Sequence, residues 1–307
     1  MTAQSQPKSP IVQLSPAEQR YFGESLFRKG LRHLSHDYLT LVALVLLAVL
    51  ALLAVFGPII TDNVLHIDPN VTDPFSNFLP IGTPGHLLGT DDLGRDQMAR
   101  LMQAGRISIS IGFFGSLITL TIGLVFGIAS GYFGGVVDDV LSWLVATLDS
   151  IPDLFLLILI ASILSPTAES LVLVIALIGW TGTSRLIRGQ TFALRNLEYV
   201  TSARALGASS WRIMVVHILP NLISVVMISL ATSIGSLILT ESALSFLGLG
   251  VQPPQATWGN MLTKAQTFYM RGPDLVLMPG LLIFVTVLCL YVAGDGLRDA
   301  FDPATND

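Results

Sequence analysis

Charge is scarce in this chain of 307 residues: Asp, Glu, Lys and Arg together make up 12%, about half the ~25% usual in soluble domains. With 52% hydrophobic residues and a mean hydropathy of +0.69, that scarcity excludes an ordinary soluble fold and makes this an integral membrane protein. Cysteine is nearly absent. The single one, Cys289, permits neither a disulfide framework nor a cysteine metal cluster, and in an apolar run it reads as a small hydrophobe. There is no G-x-x-x-x-G-K-[ST] loop, so the chain cannot cradle a nucleotide phosphate in that way. No catalytic residue, cofactor or metal site is expected. A net charge of −5 without a basic surface gives no nucleic-acid signal.

What is present is a series of apolar runs long enough to cross a bilayer. Residues 1–39 begin polar and Pro-punctuated and end basic at Arg28, Lys29 and Arg32. They read as a disordered cytoplasmic segment before an uncleaved first span at 40–60. Residues 61–106 read as an extracytoplasmic excursion that ends in a surface helix capped by Thr90 or Asp91. Asp91, Asp92 and Asp96 are interleaved with Arg95 and Arg100, with no histidine spaced to join them, so capping and salt bridging are expected over metal binding.

Residues 107–294 follow as a core of five spans, and 295–307 as a cytoplasmic tail. In the second span Gly123, Gly127 and Gly131 recur every fourth residue, a face that lets another helix approach closely. The third, Val140 to Leu164, holds Asp149 and Pro152. Asp149 falls about 16 Å along the helix from Asp138, near mid-membrane depth, where an ionisable group is costly. Two readings stay open: Asp149 and the Pro152 kink line or gate a translocation path, or Asp149 only bonds a neighbouring helix. Glu241, near the outer end of the fifth span, is expected at the interface.

Between the fourth and fifth spans, residues 189–221 carry Arg195, Glu198, Arg204, Arg212 and His217 and must sit in water. A helix from Leu197 to Leu206, with an apolar stripe of Val200, Ala203 and Leu206, stops at Gly207, where a left-handed residue needs no Cβ. Ser209 or Ser210 can cap a second helix from Trp211 to His217, and Pro220 can open a third. With the N-terminus inside, eleven of the sixteen Lys and Arg fall on the elbow side and five opposite, which makes the elbow cytoplasmic.

The elbow resembles the cytoplasmic coupling loop of ABC importer permeases, with its E-A-A, then G, then I-x-L-P pattern. Gly207 holds the Gly, Leu219 and Pro220 the L-P and Ala203 the second Ala. Thr201 and Ser202 replace the Glu and first Ala, and His217 the Ile. The runs Leu88 to Phe113, Glu241 to Gly250, Val251 to Leu262 and Gly294 to Pro303 are also similar to the dipeptide, oligopeptide and nickel permease family, in particular its DppC/OppC-like member. The resemblance implies an all-α, six-span importer type I permease fold. It also implies, as partners, a second related permease, two ABC ATPase subunits and an extracytoplasmic solute-binding protein, with the chain seated in membrane lipid. The helix after Gly207 would dock on an ATPase through Ser209, Trp211 and Arg212, while the alternative for the last two is an interfacial Trp and a positive-inside Arg. Di- or oligopeptides are the leading substrate, with nickel, glutathione or another small solute as alternatives.

Three other classes compete. A helix-turn-helix at the elbow would lack an independent three-helix core. An intramembrane protease would need Asp149 and Asp295 at one depth. A secondary transporter would be expected to show inverted repeats, and no convincing repeat is found.

Overall fold

Backbone groups in hydrocarbon find no water, so an apolar chain must satisfy them within helices. The computed structural model describes residues 30, 32, 34–163 and 167–301. Residues 1–29, Leu164 and the end of the tail lie outside the described residues. Those described are helical, with no sheet beyond two isolated bridges.

Helix α1 (Tyr38–Ile60) starts where the Asp37 carboxylate accepts N–H groups of Leu39 and Thr40. Helix α2 (Gln97–Phe133) runs unbroken for 37 residues. Helices α3 (Gly135–Asp149) and α4 (Asp153–Ile163) are bent 77° from each other. Helix α5 (Ala168–Leu194) opens on a reciprocal cap between Thr167 and Ser170. Helix α6 (Glu198–Ala205) precedes the corner, α7 (Ser210–Phe246) leaves it, and α8 (Ala265–Arg271) and α9 (Asp274–Phe301) complete the chain. By length and composition α1, α2, α5, α7 and α9 can each cross a membrane, and the bent α3–α4 pair makes a sixth only if it counts as one broken span.

Three local expectations are corrected. The surface helix from Asp91 is not there. Asp91 instead closes a tight turn by accepting the N–H groups of Leu93 and Arg95, and Asp96 caps α2 through Ala99 N, so surface helix and second span are one rod. The third span is broken, because Pro152 cannot donate to the ladder. The break falls just after Asp149, so the rise from Asp138 to Asp149 stays within α3. The separate helices expected on either side of Pro220 are continuous in α7. A wide π-type segment (Ile213–Ile218) and a 3-10 turn (Leu219–Leu222) absorb the missing N–H and the ring before regular helix resumes.

Helix α2 is the axis, packed against α1, α5 and α7. A Cβ on Gly123 would lie 2.7 Å from Thr183 Cβ, on Gly127 2.7 Å from Ser184 O, and on Gly131 2.7 Å from Arg188 O. The four-residue repeat is thus the contact face for α5. At the end of α2 away from the elbow, here the distal end, Leu101, Ala104, Ile238, Trp258, Ile283 and Val287 join one core, and Trp258 Nε1 donates to Leu101 O at 3.2 Å.

Glu241, near the end of α7, does not face the surface. It is fully buried, and its Oε1 accepts from Ser245 Oγ at 2.6 Å and Thr257 Oγ1 at 2.8 Å, tying α7 to the loop that carries Trp258. A leucine there leaves two buried hydroxyls without their acceptor. Glu241→Leu should therefore cost about 1–3 kcal/mol, seen as a lower thermal unfolding midpoint in detergent, while Glu241→Gln keeps the acceptor and most of the stability. Equal midpoints for leucine and wild type would remove this role.

Candidate functional site

The elbow is built as a rigid corner. Gly207 has φ +84°. Its N–H donates to Arg204 O and that of Ala208 to Ala203 O, the paired bonds of a Schellman stop. Two residues on, Ser209 Oγ accepts Arg212 N at 3.4 Å. Val200, Ile213 and Ile218 are fully buried with Ile187, Leu222 and Tyr132. Arg195 Nη1 donates to Gly131 O at 2.8 Å and Tyr132 O at 3.3 Å, placing a cation on the last carbonyls of α2, where the helix dipole favours it. Arg204 lies over the Tyr132 ring at 5.5 Å. The corner is thereby fastened to the α2–α5 pair.

Its outer side is different. Thr201, Arg204, Ser209, Arg212 and Pro220 are exposed, while Ala203 and Leu219 are half-buried. Trp211 is 73% exposed and Leu206 89%. The expected stripe of Val200, Ala203 and Leu206 is thus corrected. Val200 points into the core, but Leu206 caps the helix at φ −79°, ψ 4°, where the chain turns outward. An exposed Leu and Trp, flanked by Arg204 and Arg212, thus form the outer tip of the corner. Leu206 escaped the sequence reading, and the available signal was its place directly before Gly207.

The second candidate group lies between α3 and α5. Asp149 pairs with Arg185 at 2.5 Å, not with a second aspartate. Asp138 takes Arg188 Nε at 2.5 Å and Nη2 at 2.7 Å and the hydroxyls of Ser130 and Ser142. A cavity of about 220 Å³ between these helices is lined by Ser130, Ser142, Ser184, Arg185 and Arg188. Pro152 is exposed at the bend. Both arginines lie in the second half of α5. No sequence spacing announces pairs 36 and 50 residues apart.

At the distal end the acidic cluster is knitted by ion pairs of Arg95 with Asp91 at 2.7 Å and Lys264 with Asp92 at 2.6 Å, and by a hydrogen-bond contact of His86 Nδ1 with Asp96 at 2.9 Å. The histidine that spacing did not offer arrives from the preceding loop.

The described residues form a helical bundle wrapped on one long, apolar axis, with an exposed corner outside it, the architecture of a polytopic membrane protein. Residues 123–307 match the family described as binding-protein-dependent transport system inner membrane component, and residues 25–80 match the N-terminal transmembrane domain of oligopeptide transport permease C. The dipeptide transport system permease protein DppC of Alkalihalophilus pseudofirmus is 35% identical over 97% of this chain and 95% of its own length. The glutathione transport system permease protein GsiD of Pectobacterium atrosepticum is 39% identical over 71% and 72%. In shape the chain is similar to a solved subunit of the inward-facing MetNI methionine ABC transporter, with TM-score 0.53, 17% identity, and coverage of 66% of this chain and 97% of that one. The chain belongs to the binding-protein-dependent transport permeases, as a multi-pass inner-membrane subunit.

Proposed function

We propose that this chain forms half of the translocation pathway of an ATP-driven peptide importer and receives its drive through the elbow. The observation that carries the reading is the exposed Leu206–Trp211 tip on a corner bolted to the α2–α5 pair. An ATPase groove closing on that tip would move both helices together. In this reading Thr201, Ala203, Arg204, Gly207, Ser209, Trp211, Arg212, Leu219 and Pro220 form the coupling loop. Both termini and the loop are cytoplasmic, which agrees with the eleven-to-five placement of Lys and Arg. ATP is hydrolysed by two partner subunits, a second related permease completes the pathway, and an extracytoplasmic binding protein delivers the solute. Relatives named for dipeptides, oligopeptides and glutathione favour a peptide substrate.

The test is a gentle detergent pull-down of the tagged chain from its native membrane, with mass spectrometry of what accompanies it. Recovery of an ATPase and a second permease is the expected result. A chain recovered alone would overturn the reading.

Asp149 and Pro152 then sit at the hinge of the bent α3–α4 pair, with Asp149 latching α3 to α5. Arg185 is 62% exposed, so losing its partner costs less than about 1 kcal/mol. Asp149→Asn should leave assembly and thermal midpoint nearly unchanged and lower peptide uptake several-fold in reconstituted vesicles. Uptake at the wild-type rate would leave Asp149 with a merely structural contact.

A further inference from the structure

We infer that the cavity at the distal end of the bundle is a binding site for a ligand carboxylate. It encloses about 270 Å³ between the Asp91–Arg95 turn, the first turns of α2 and the segment around Asn260 and Lys264. Among the side chains lining it, three cations (Arg95, Arg100 and Lys264) face two carboxylates (Asp91 and Asp92), leaving one positive charge over.

The two carboxylates are already committed. Asp91 accepts two backbone N–H groups and faces Arg95 Nε at 2.7 Å and Arg100 Nε at 3.4 Å. Asp92 takes Lys264 Nζ. Arg100 is 5% exposed, and besides Asp91 its guanidinium reaches Pro69 O at 3.4 Å. One turn away Gln97, 1% exposed, has an amide nitrogen with no partner at all. A buried guanidinium held only at long range beside an orphaned amide is a donor set short of acceptors. Water would satisfy Gln97 but would not match the planar fork of the buried Arg100 guanidinium. A carboxylate does both, since its two oxygens match the planar fork of a guanidinium.

The carboxylate can come from a free small molecule, such as the C-terminus of a peptide, or from an acidic side chain of a docked protein. The site lies at the opposite end of α2 from the elbow, and its test does not involve the coupling loop.

The full-length chain, reconstituted in nanodiscs with the subunits that co-purify, is titrated with dialanine and with dialaninamide, which lacks the carboxylate. Dialanine should bind, the amide about tenfold or more weakly, and Gln97→Leu and Arg100→Gln should each weaken dialanine about tenfold. Arg100→Gln risks misfolding by freeing Asp91, so Gln97→Leu, which removes no charge, is the deciding variant once its thermal midpoint matches wild type. If dialanine does not bind but Gln97→Leu weakens capture of the purified solute-binding protein about tenfold, the site stands and the carboxylate belongs to that protein. If Gln97→Leu changes neither affinity, water alone fills the cavity and the inference is overturned.

Discussion

Replacing Gly127 by leucine should prevent the bundle from assembling. Among the described residues the α2–α5 contact is the most extensive, and Gly127 sits in its middle. Its missing Cβ would be 2.7 Å from a backbone carbonyl, Ser184 O, and 2.8 Å from Ile187 Cβ. A flexible side chain could swing aside, but a helix carbonyl moves only with its helix. Gly123 and Gly131 set the same spacing one turn to either side, so α5 cannot tilt away locally without leaving all three. Overpacking of a tight core costs about 1–3 kcal/mol when neighbours can relax, and here they cannot. Gel filtration of the fluorescently tagged chain should show the monodisperse peak lost for Gly127→Leu and reduced for Gly127→Ala. Gly182→Ala, at a position with nothing within 4 Å, should elute as wild type. A monodisperse Gly127→Leu protein with an unshifted thermal midpoint would mean the helices are not held at this distance.

Gly207→Val should separate folding from transport. Space is not the obstacle, since nothing lies within 4 Å of a Cβ there. The obstacle is φ +84°, which a β-branched residue adopts only at a cost of about 1–3 kcal/mol. The strain is confined to one backbone angle and leaves the α2–α5 contact untouched, so the chain should still insert and elute as one species. The corner would open to escape the strain, turning Trp211 and Arg212 away from Leu206. The ATPase should then be lost from the pull-down, and uptake should fall by about tenfold or more. Gly207→Asn provides the control: asparagine tolerates the left-handed region and should restore most of both. An ATPase retained at wild-type yield by the valine variant would show that the corner's conformation does not govern docking.

How much was legible follows from how local each signal is. The stop at Gly207, a cap at Ser209 or Ser210, which the structure places at Ser209, and the small-residue face of α2 are encoded within a few residues. The helical membrane class followed from composition. What escaped depends on distance along the chain. Burial of Glu241 needs Thr257 folded back over α7, and an acid near a span's end otherwise reads as interfacial. The Asp138–Arg188 and Asp149–Arg185 pairs join elements that sequence order does not reveal as neighbours. Leu206 fitted a helical period perfectly, yet the period ends with the helix, and a residue in its last half-turn takes its direction from the corner. The joining of surface helix and second span was missed on a detail of capping: Thr90 and Asp91 were read as caps, whereas Asp96 caps α2.

The unbroken run of α2 has a mechanical consequence. It is about 55 Å long at helical rise, held at one end by Arg195 and touching at the other the cavity behind Asp91. A stiff rod pivoting within a membrane needs no relay of side chains to carry a signal. A tilt of roughly 5° about one end sweeps the other through ~5 Å, enough to open or shut a crevice the width of a carboxylate. Leverage, not a chain of contacts, would then set how tightly events on the two sides of the bilayer are timed.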